Sequence, residues 1–323
     1  MSAGYRAPWW LPGGHLQTIY PFFFLGRHPP RYRRERWDAP DGDFIDLDWV
    51  DGPAAAPLLL VFHGLEGDSA SNYAAAVMNA VANHGWRGAV VHFRGCSGEP
   101  NRLPRAYHSG DADELDWILK RLHGYAANAP LFAAGFSLGG NALLKWLGRE
   151  RAAAAQVIRA AAAISAPMDL MTAGNRLSRG LNRGYGALFM RTLKAKSLAK
   201  LRVFPGIYDG DGVGRSRTLR EFDNLVTAPL HGYRDTDDYW TRASSKPDLI
   251  HIQIPTLIVH ARNDPFLPGR YLPEQGDVSA FVELDLPEGG GHGAFASGPF
   301  PGNLGWLPRR LLDFFEKHAA SGM

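Results

Sequence analysis

The sequence contains almost no cysteine and no long apolar run. Cys96 is the single cysteine, so no disulfide can form within the chain and a reducing compartment is favoured. No stretch reaches the ~20 apolar residues that a membrane-spanning helix needs. Residues 1–12, which Pro8 and Pro12 interrupt, also lack the apolar centre of a signal peptide. These absences predict a cytoplasmic protein.

Motifs for metals and nucleotides are missing as well. No His-x-x-x-His, Cys-x-x-Cys or clustered Asp/His group has the spacing of metal ligands. No Gly-x-Gly-x-x-Gly follows a predicted strand, so no dinucleotide is implied. We expect no metal, no cofactor and no nucleic-acid partner, and the sequence leaves the oligomeric state open. The chain has 323 residues, 45% of them hydrophobic and 21% charged. It therefore fits one large α/β domain with an insertion, or two small domains.

What the chain does contain is an alternation of apolar strands with helices. Unbroken apolar strands between helices are typical of a parallel sheet that is covered on both faces. An antiparallel hairpin, turning at Pro40-Asp41-Gly42-Asp43, precedes them and brings the sheet to eight strands. The predicted fold class is α/β, with a mostly parallel eight-stranded sheet. The predicted strands span residues 31–37, 44–50, 58–62, 87–93, 131–136, 160–165, 256–260 and 281–286, and helices cover 71–83, 109–125, 138–151 and 304–318.

Three parts of the chain are expected from this pattern. Residues 1–30 are rich in aromatic residues, proline and glycine, and they predict an ordered but irregular arm. The strand–helix alternation assigns residues 31–166 and 256–323 to the α/β core. Residues 167–255 are too long for a simple connection, so we interpret them as a helical cap inserted over the carboxyl edge of the sheet.

The stretch Gly135-Phe136-Ser137-Leu138-Gly139 stands between a buried strand and a helix. This is the sequence form of a nucleophile elbow, a strained strand-to-helix turn that exposes a serine hydroxyl. Glycine is required two positions before and after Ser137 because side chains there would collide across the turn. The helix start also directs free N–H groups and the positive end of its dipole at the serine. The alternative is a glycine-rich turn whose serine only caps the helix.

A serine nucleophile needs a base, and the base needs an acid that orients it. In a fold of this kind the three residues follow in the order Ser, Asp or Glu, His. Asp264 follows the strand at 256–260, and His292 lies in a glycine-rich loop after the last strand. We predict Ser137, Asp264 and His292 as the catalytic triad.

Other acids and histidines are weaker candidates for these roles. Asp285 lies within the last strand, where it is expected to face a helix or solvent. The aspartates at 235–238 belong to the cap, and a charged cluster there is typical of a solvated surface. His260 is interpreted as a packed, hydrogen-bonded ring.

The loop His63-Gly64-Leu65-Glu66-Gly67 follows the strand expected beside the nucleophile strand. In such a site one oxyanion-hole amide comes from this loop and the other from the residue after the nucleophile. We assign them to Leu65 N–H and Leu138 N–H. Glu66 is either a supporting group or an exposed carboxylate. The residues expected to contact substrate are His63, Gly64, Phe136 and Phe266.

Linked motifs run along nearly the whole chain. They are Gly14-His15-Leu16-Gln17-Thr18, His63-Gly64-Leu65-Glu66-Gly67, Asn72-Tyr73, Phe93-Arg94-Gly95-Cys96-Ser97-Gly98, Tyr107-His108-Ser109-Gly110, Gly135-Phe136-Ser137-Leu138-Gly139-Gly140-Asn141, Asn263-Asp264-Pro265-Phe266 and Gly290-Gly291-His292. Together they resemble the α/β-hydrolases, and more narrowly their YheT-like esterase branch, which is related to the eukaryotic abhydrolase-domain lipases and phospholipases. The resemblance implies carboxylester hydrolysis by Ser137, Asp264 and His292. One departure is Phe295, since the aromatic ring is expected one position nearer to His292.

The expected function is that of a serine carboxylesterase acting on short- to medium-chain acyl esters. On the same triad, an acylglycerol lipase, a phospholipase or an alcohol acyltransferase are alternatives. A catalytically silent binding protein with a hydrolase fold is an alternative of another class. Dehalogenases and epoxide hydrolases are disfavoured because they need Asp, not Ser137, at the elbow.

Net charge is only +3, but residues 176–202 contain eight Lys and Arg and no acid. Apolar residues at helical spacing run through the same segment, from Leu177 and Leu181 to Phe189 and Leu193. One interpretation is a cap helix that lays this stripe over the acyl pocket while its charges stay solvated. The other is peripheral contact between residues 176–202 and anionic lipid.

Overall fold

The computed structural model describes residues 4–26, 28–126 and 129–319, and an eight-stranded sheet lies at its centre. The strands are β1 (Arg33–Asp38), β2 (Phe44–Val50), β3 (Leu58–Phe62), β4 (Arg87–His92), β5 (Leu131–Phe136), β6 (Ala160–Ile164), β7 (Thr256–Val259) and β8 (Val282–Asp285). Their order in the sheet is β1-β2-β4-β3-β5-β6-β7-β8. Strand β2 runs antiparallel to both of its neighbours, β1 and β4, and all remaining pairs are parallel.

Eleven α-helices in the described residues surround this sheet, together with short 3₁₀ turns and one π-helical turn at Asp223–Thr227. None of these helices is both long and apolar enough to cross a membrane. The helices are α1 (Gly14–Phe24), α2 (Asn72–Asn83), α3 (Ala112–Ala126), α4 (Leu138–Glu150), α5 (Leu170–Leu177), α6 (Arg183–Val203), α7 (Gly210–Arg215), α8 (Leu219–Phe222), α9 (Ala228–Leu230), α10 (Thr236–Ala243) and α11 (Trp306–Ala319).

The two faces of the sheet are covered by different helices. Strands β3 to β7 are buried along their whole length, which is why they read as unbroken apolar runs. One face packs on α3 and α4 through residues such as Leu115 and Leu143. The other packs on α2 and α11 through Met78 and Phe315. The predicted α/β-hydrolase architecture, a mostly parallel sheet with helices on both faces, is confirmed.

The chain between β6 and β7 is helical and forms α5 to α10. Its apolar side chains build a separate cluster that includes Val213, Phe222 and Trp240, and Phe266 from the core joins it. These helices therefore roof the carboxyl edge of the sheet, where the strands deliver their functional loops.

Two local expectations are wrong. The N-terminal segment is not irregular throughout, because residues 14–24 form α1. The apolar stripe does not lie on one helix either. The chain breaks between α5 and α6 where Gly180 adopts a φ of 52°, and Leu181 beyond this break is 78% exposed.

Candidate active site

Ser137 occupies the sharp turn between β5 and α4. Its φ of 49° and ψ of −118° lie outside the common regions of the backbone map. A Cβ on Gly135 would lie 2.5 Å from the carbonyl oxygen of Gly139. A Cβ on Gly139 would lie 2.6 Å from the carbonyl oxygen of His63. Glycine at 135 is therefore required by the turn, as the motif predicts, whereas glycine at 139 lets the start of α4 approach the end of β3.

Ser137, His292 and Asp264 form one chain of hydrogen bonds although they are far apart in sequence. The Nε2 atom of His292 lies 3.0 Å from the hydroxyl oxygen of Ser137. Its Nδ1 atom lies 2.8 Å from Oδ2 of Asp264. Asp264 follows β7 and His292 lies in the loop after β8, so the parallel strands deliver both residues to one edge of the sheet. The arrangement can transfer the serine proton to an imidazole that a carboxylate orients.

The Asp264 carboxylate is fully buried and accepts hydrogen bonds from His292 and, at 2.8 Å, from the backbone N–H of Phe266. Nε2 of His260 donates to the carbonyl of Leu267 and also lies 3.2 Å from Oδ2 of Asp264. Burial alone would raise the pKa of Asp264, but the two histidines outweigh it and hold this pKa well below its usual range. The His260 ring is packed in the core, as predicted, and its contact with the acid is an addition that the sequence does not reveal.

The rival acids have other partners. Asp285 accepts a hydrogen bond from Arg310 of α11 at 2.8 Å. Asp235 caps the amino end of α10 by accepting from the backbone N–H of Asp238. Asp238 itself pairs with Arg242 on the same helix at 3.2 Å. These carboxylates support helices and lie outside the hydrogen-bonded chain of Ser137.

The loop after β3 offers one free amide beside Ser137. Two amides of residues 64–67 donate to tyrosine hydroxyls, Gly64 to Tyr73 at 2.9 Å and Glu66 to Tyr107 at 2.8 Å. The amide of residue 67 donates to a carbonyl within the loop. Only Leu65 N–H has no acceptor among the described residues. The other assigned amide, Leu138 N–H, belongs to the first residue of α4, where no intrahelical acceptor exists.

Glu66 fastens this loop to the cap. Its φ is 56°, and its carboxylate accepts from Tyr107 at 2.9 Å and pairs with Lys196 of α6 at 2.9 Å. Burial favours the neutral form of Lys196, yet the neighbouring Cys96 and Glu66 keep its pKa above the ordinary value. These contacts favour the interpretation of Glu66 as a group that supports the loop over that of an exposed carboxylate.

We predict that Lys196→Met lowers kcat by roughly 10- to 100-fold with little change in KM, because Glu66 loses its cation and the Leu65 amide shifts from its position. The matched control is Lys194→Met on the same helix, since Lys194 donates only to carbonyls of the cap at Gly214 and Ser216. Steady-state kinetics on a short soluble ester, with thermal melting of both variants, measures the effect. Equal kcat values for the two variants would show that the Glu66 contact does not position the loop.

Lys200 of α6 is turned toward the core. Lys200 donates to the side chain of Asn101 at 2.6 Å and to the carbonyl of Leu103 at 2.5 Å. Burial lowers the pKa of Lys200 to about 8. The expectation that the charges of segment 176–202 stay solvated is therefore wrong for Lys200. Lys196 and Lys200 join the cap to the core, whereas Lys194 bonds to carbonyls within the cap.

The N-terminal helix α1 holds the loops of both the acid and the base. Gln17 accepts from the backbone N–H of Gly290 at 2.7 Å and from the side chain of Asn263 at 2.9 Å. Thr18 accepts from the backbone N–H of His292 at 3.0 Å. The motif at residues 14–18 was visible in the sequence, but nothing in it indicates which loops it binds.

The ring beside His292 is Phe266, whose centroid lies 4.2 Å from that of the imidazole. Phe295, the aromatic residue displaced by one position, is fully buried with a φ of 48° and packs on Tyr5 and Trp306 instead. The departure from the family pattern therefore leaves the base with an aromatic neighbour from a different loop.

A cavity of about 870 Å³ lies between the sheet edge and the cap and includes Ser137, Leu138, Leu65 and Phe266 in its wall. The prediction that His63 and Phe136 contact substrate is wrong for these side chains, since both are buried outside this wall. The His63 ring accepts from the backbone N–H of Phe93 at 3.1 Å, and Phe136 stacks on Tyr73. Gly64 lies against Ser137, where a Cβ would come within 3.1 Å of the serine Cβ. Most of the remaining wall is apolar and comes from the cap, including Leu177, Phe189, Leu193, Leu219, Phe222, Val226, Leu230 and Trp240.

Comparisons with known proteins show which family the chain is similar to. A family model described as "alpha/beta hydrolase fold" matches residues 57–299. The chain is 40% identical over 309 residues to an Escherichia coli K12 protein named "Putative esterase YheT", covering 94% of this chain and 90% of that one. It is 31% identical to the Mus musculus protein "Phospholipase ABHD3", covering 97% of this chain and 78% of that one.

Solved structures share the fold at lower identity. The esterase Pf2001 of Pyrococcus furiosus superposes with a TM-score of 0.57 and 16% identity, covering 91% of this chain and 100% of that one. A 2,6-dihydroxy-pseudo-oxynicotine hydrolase superposes with a TM-score of 0.58 and 17% identity, covering 95% of this chain and 72% of that one.

Proposed function

The chain belongs to the α/β-hydrolase family of esterases and lipases, and from this premise we propose that it is a serine carboxylesterase for short- to medium-chain acyl esters. The observation that carries the proposal is the hydrogen-bonded chain from Ser137 through His292 to Asp264, which opens into a large apolar cavity. We also propose a cytoplasmic location, as the sequence predicts.

In the acylation step, His292 Nε2 removes the hydroxyl proton while Ser137 Oγ attacks the ester carbonyl. Asp264 keeps the second imidazole proton on Nδ1, so that Nε2 is free to accept. The amides of Leu65 and Leu138 donate to the oxyanion of the tetrahedral intermediate. His292 then gives its proton to the leaving alcohol, and an acyl-enzyme on Ser137 remains.

In the deacylation step, water takes the place of the alcohol. His292 removes a proton from the water as it attacks the acyl carbonyl, and the same two amides hold the second oxyanion. The proton returns to Ser137 as the carboxylic acid leaves. An alcohol in place of the water would give acyl transfer by the same steps. The ratio of free acid to new ester formed in the presence of an alcohol therefore distinguishes a hydrolase from an acyltransferase.

The cavity supports an acyl group as the part of the substrate that is buried. Its volume of about 870 Å³ lies within the range of small-molecule sites. Its wall from Leu177 to Trp240 is mostly aliphatic and aromatic, so a longer alkyl chain gains burial at ~0.8 kcal/mol per methylene until the cavity is filled.

The test is a series of p-nitrophenyl esters from acetate to palmitate. We expect kcat/KM to rise by up to about fourfold per added methylene from the two-carbon ester to a maximum at medium chain length, and then to fall. A fluorophosphonate probe should label the wild-type protein and not Ser137→Ala. A protein that neither hydrolyses any ester of the series nor takes the label would be a hydrolase-fold binding protein, which contradicts the proposal.

A further inference from the structure

A second, smaller pocket lies on the outer side of α5, away from the acyl cavity. It has a volume of about 470 Å³. Helix α5 separates the two spaces, with Leu170, Ala173 and Leu177 buried on the cavity side. Residues Thr172 and Arg176 on its other side border the smaller pocket. The two spaces are therefore distinct, and the small pocket has no role in the reaction derived above.

The wall of this pocket carries three arginines and no acid. Arg176, Arg179 and Arg270 border it, and no Asp or Glu does. None of the three pairs with a carboxylate within the described residues. Arg270 is steadied over the ring of Tyr271, with the guanidinium carbon 4.8 Å from the ring centroid. Three guanidinium groups around one concavity repel one another, and a bound anion would remove this cost.

The amino end of α6 forms another part of the same wall. This helix is 21 residues long, has no acid in its first turn, and receives no side-chain cap from Asn182. The residues just before it, Gly180 to Asn182, border the pocket. The positive end of a long helix dipole thus adds to the arginine charges.

Asn182 fixes this end of α6 against the loop that carries Asp264. Its side chain is 5% exposed, and its Nδ2 donates to the carbonyl of Pro265 at 2.8 Å. That bond fixes the orientation of the amide, and it leaves the buried Oδ1 with no partner within the described residues. The Oδ1 atom is itself closed off from the pocket, so the contacts to a bound anion are left to the arginines.

We propose that this pocket is a binding site for a phosphate ester. The guanidinium groups of Arg179 and Arg270 hold the phosphate oxygens. Such a group occurs both in soluble glycerol phosphates and in glycerophospholipid headgroups. Binding at this pocket requires no turnover at Ser137, so it can be tested independently of ester hydrolysis.

The experiment compares the wild type with an Arg179→Gln/Arg270→Gln double variant and with Arg183→Gln. Arg183 is an exposed arginine at the start of α6 that does not border the pocket, so it controls for general loss of positive charge. Arg176 is left unchanged because its Nε holds the carbonyl of Pro265. Thermal melting and short-ester hydrolysis should match the wild type in both variants, which establishes that they fold.

Two probes separate the two sources of the phosphate group. Isothermal titration with glycerol 3-phosphate at constant ionic strength measures the soluble form, and co-sedimentation with phosphatidylglycerol vesicles, against phosphatidylcholine vesicles, measures the headgroup. We expect saturable binding of at least one probe by the wild type and Arg183→Gln, weakened tenfold or more in the double variant. The probe that binds identifies the source of the phosphate group as soluble or as a lipid headgroup. Binding of neither probe by the wild type, or equal losses in the double variant and Arg183→Gln, would overturn the proposal.

Discussion

Replacement of Ser137 by alanine is expected to lower kcat by a factor on the order of 10⁴ to 10⁶ without affecting the fold. The hydroxyl is the only nucleophilic atom within hydrogen-bond reach of His292 Nε2 in the described residues. The backbone strain at this position comes from the turn and not from the hydroxyl, so alanine keeps the same φ and ψ. The kinetic constants on the best ester of the chain-length series, with a thermal melt, measure both parts of the prediction.

The double variant Ser137→Ala/His292→Ala gives the control. Because nucleophile and base act as a unit, removing both should cost little more than removing either one. If the two single losses multiply in the double variant, Ser137 and His292 contribute independently, and the assignment of a shared proton transfer is wrong.

Much of the fold was predictable from local pattern. Strands β3 to β7 are buried on both faces, so each appears in the sequence as a short apolar run, and the connecting helices fix a parallel order. The turn residues at 40–43 predict the hairpin of β1 and β2. Helix α1 was missed because Pro21 and its aromatic residues resemble an irregular segment, and its stability comes from contacts made by Gln17 and Thr18 with loops far along the chain.

In the candidate site, too, the residues in local motifs could be predicted and the contacts between distant segments could not. Ser137 follows from a contiguous motif, and Asp264 and His292 follow from their position after strands β7 and β8. The supporting contacts join distant segments and leave no local trace, as in the bond from His292 N–H to Thr18 or that from Lys196 to Glu66. His63 illustrates the opposite error. A histidine next to a functional loop suggests chemistry, but its ring is buried and accepts from the amide of Phe93.

Replacement of Asp264 by asparagine should lower kcat/KM by a factor on the order of 10⁴ while leaving slow labelling of Ser137 by a fluorophosphonate. The carboxylate holds the proton on His292 Nδ1, and the imidazolium formed during the reaction needs its negative charge. An amide in its place can donate to Nδ1, which moves the histidine proton to Nε2 and blocks the base. Because the pKa of Asp264 lies well below its usual range, the wild-type carboxylate stays ionised across the pH range of the assay.

Two further variants decide whether Asp264 is the right acid. Asp285→Asn removes a partner of Arg310 on α11, and Asp238→Asn removes a partner of Arg242 on α10. Both carboxylates lie in ion pairs that are partly open to solvent, and such pairs contribute about 1 kcal/mol or less to stability. We expect each variant to stay within about threefold of the wild-type rate, since a loss of that size in a distant ion pair leaves the site geometry unchanged. If either substitution proves more damaging than Asp264→Asn, the orienting acid is a different aspartate, and the hydrogen bond from His292 to Asp264 serves structure alone.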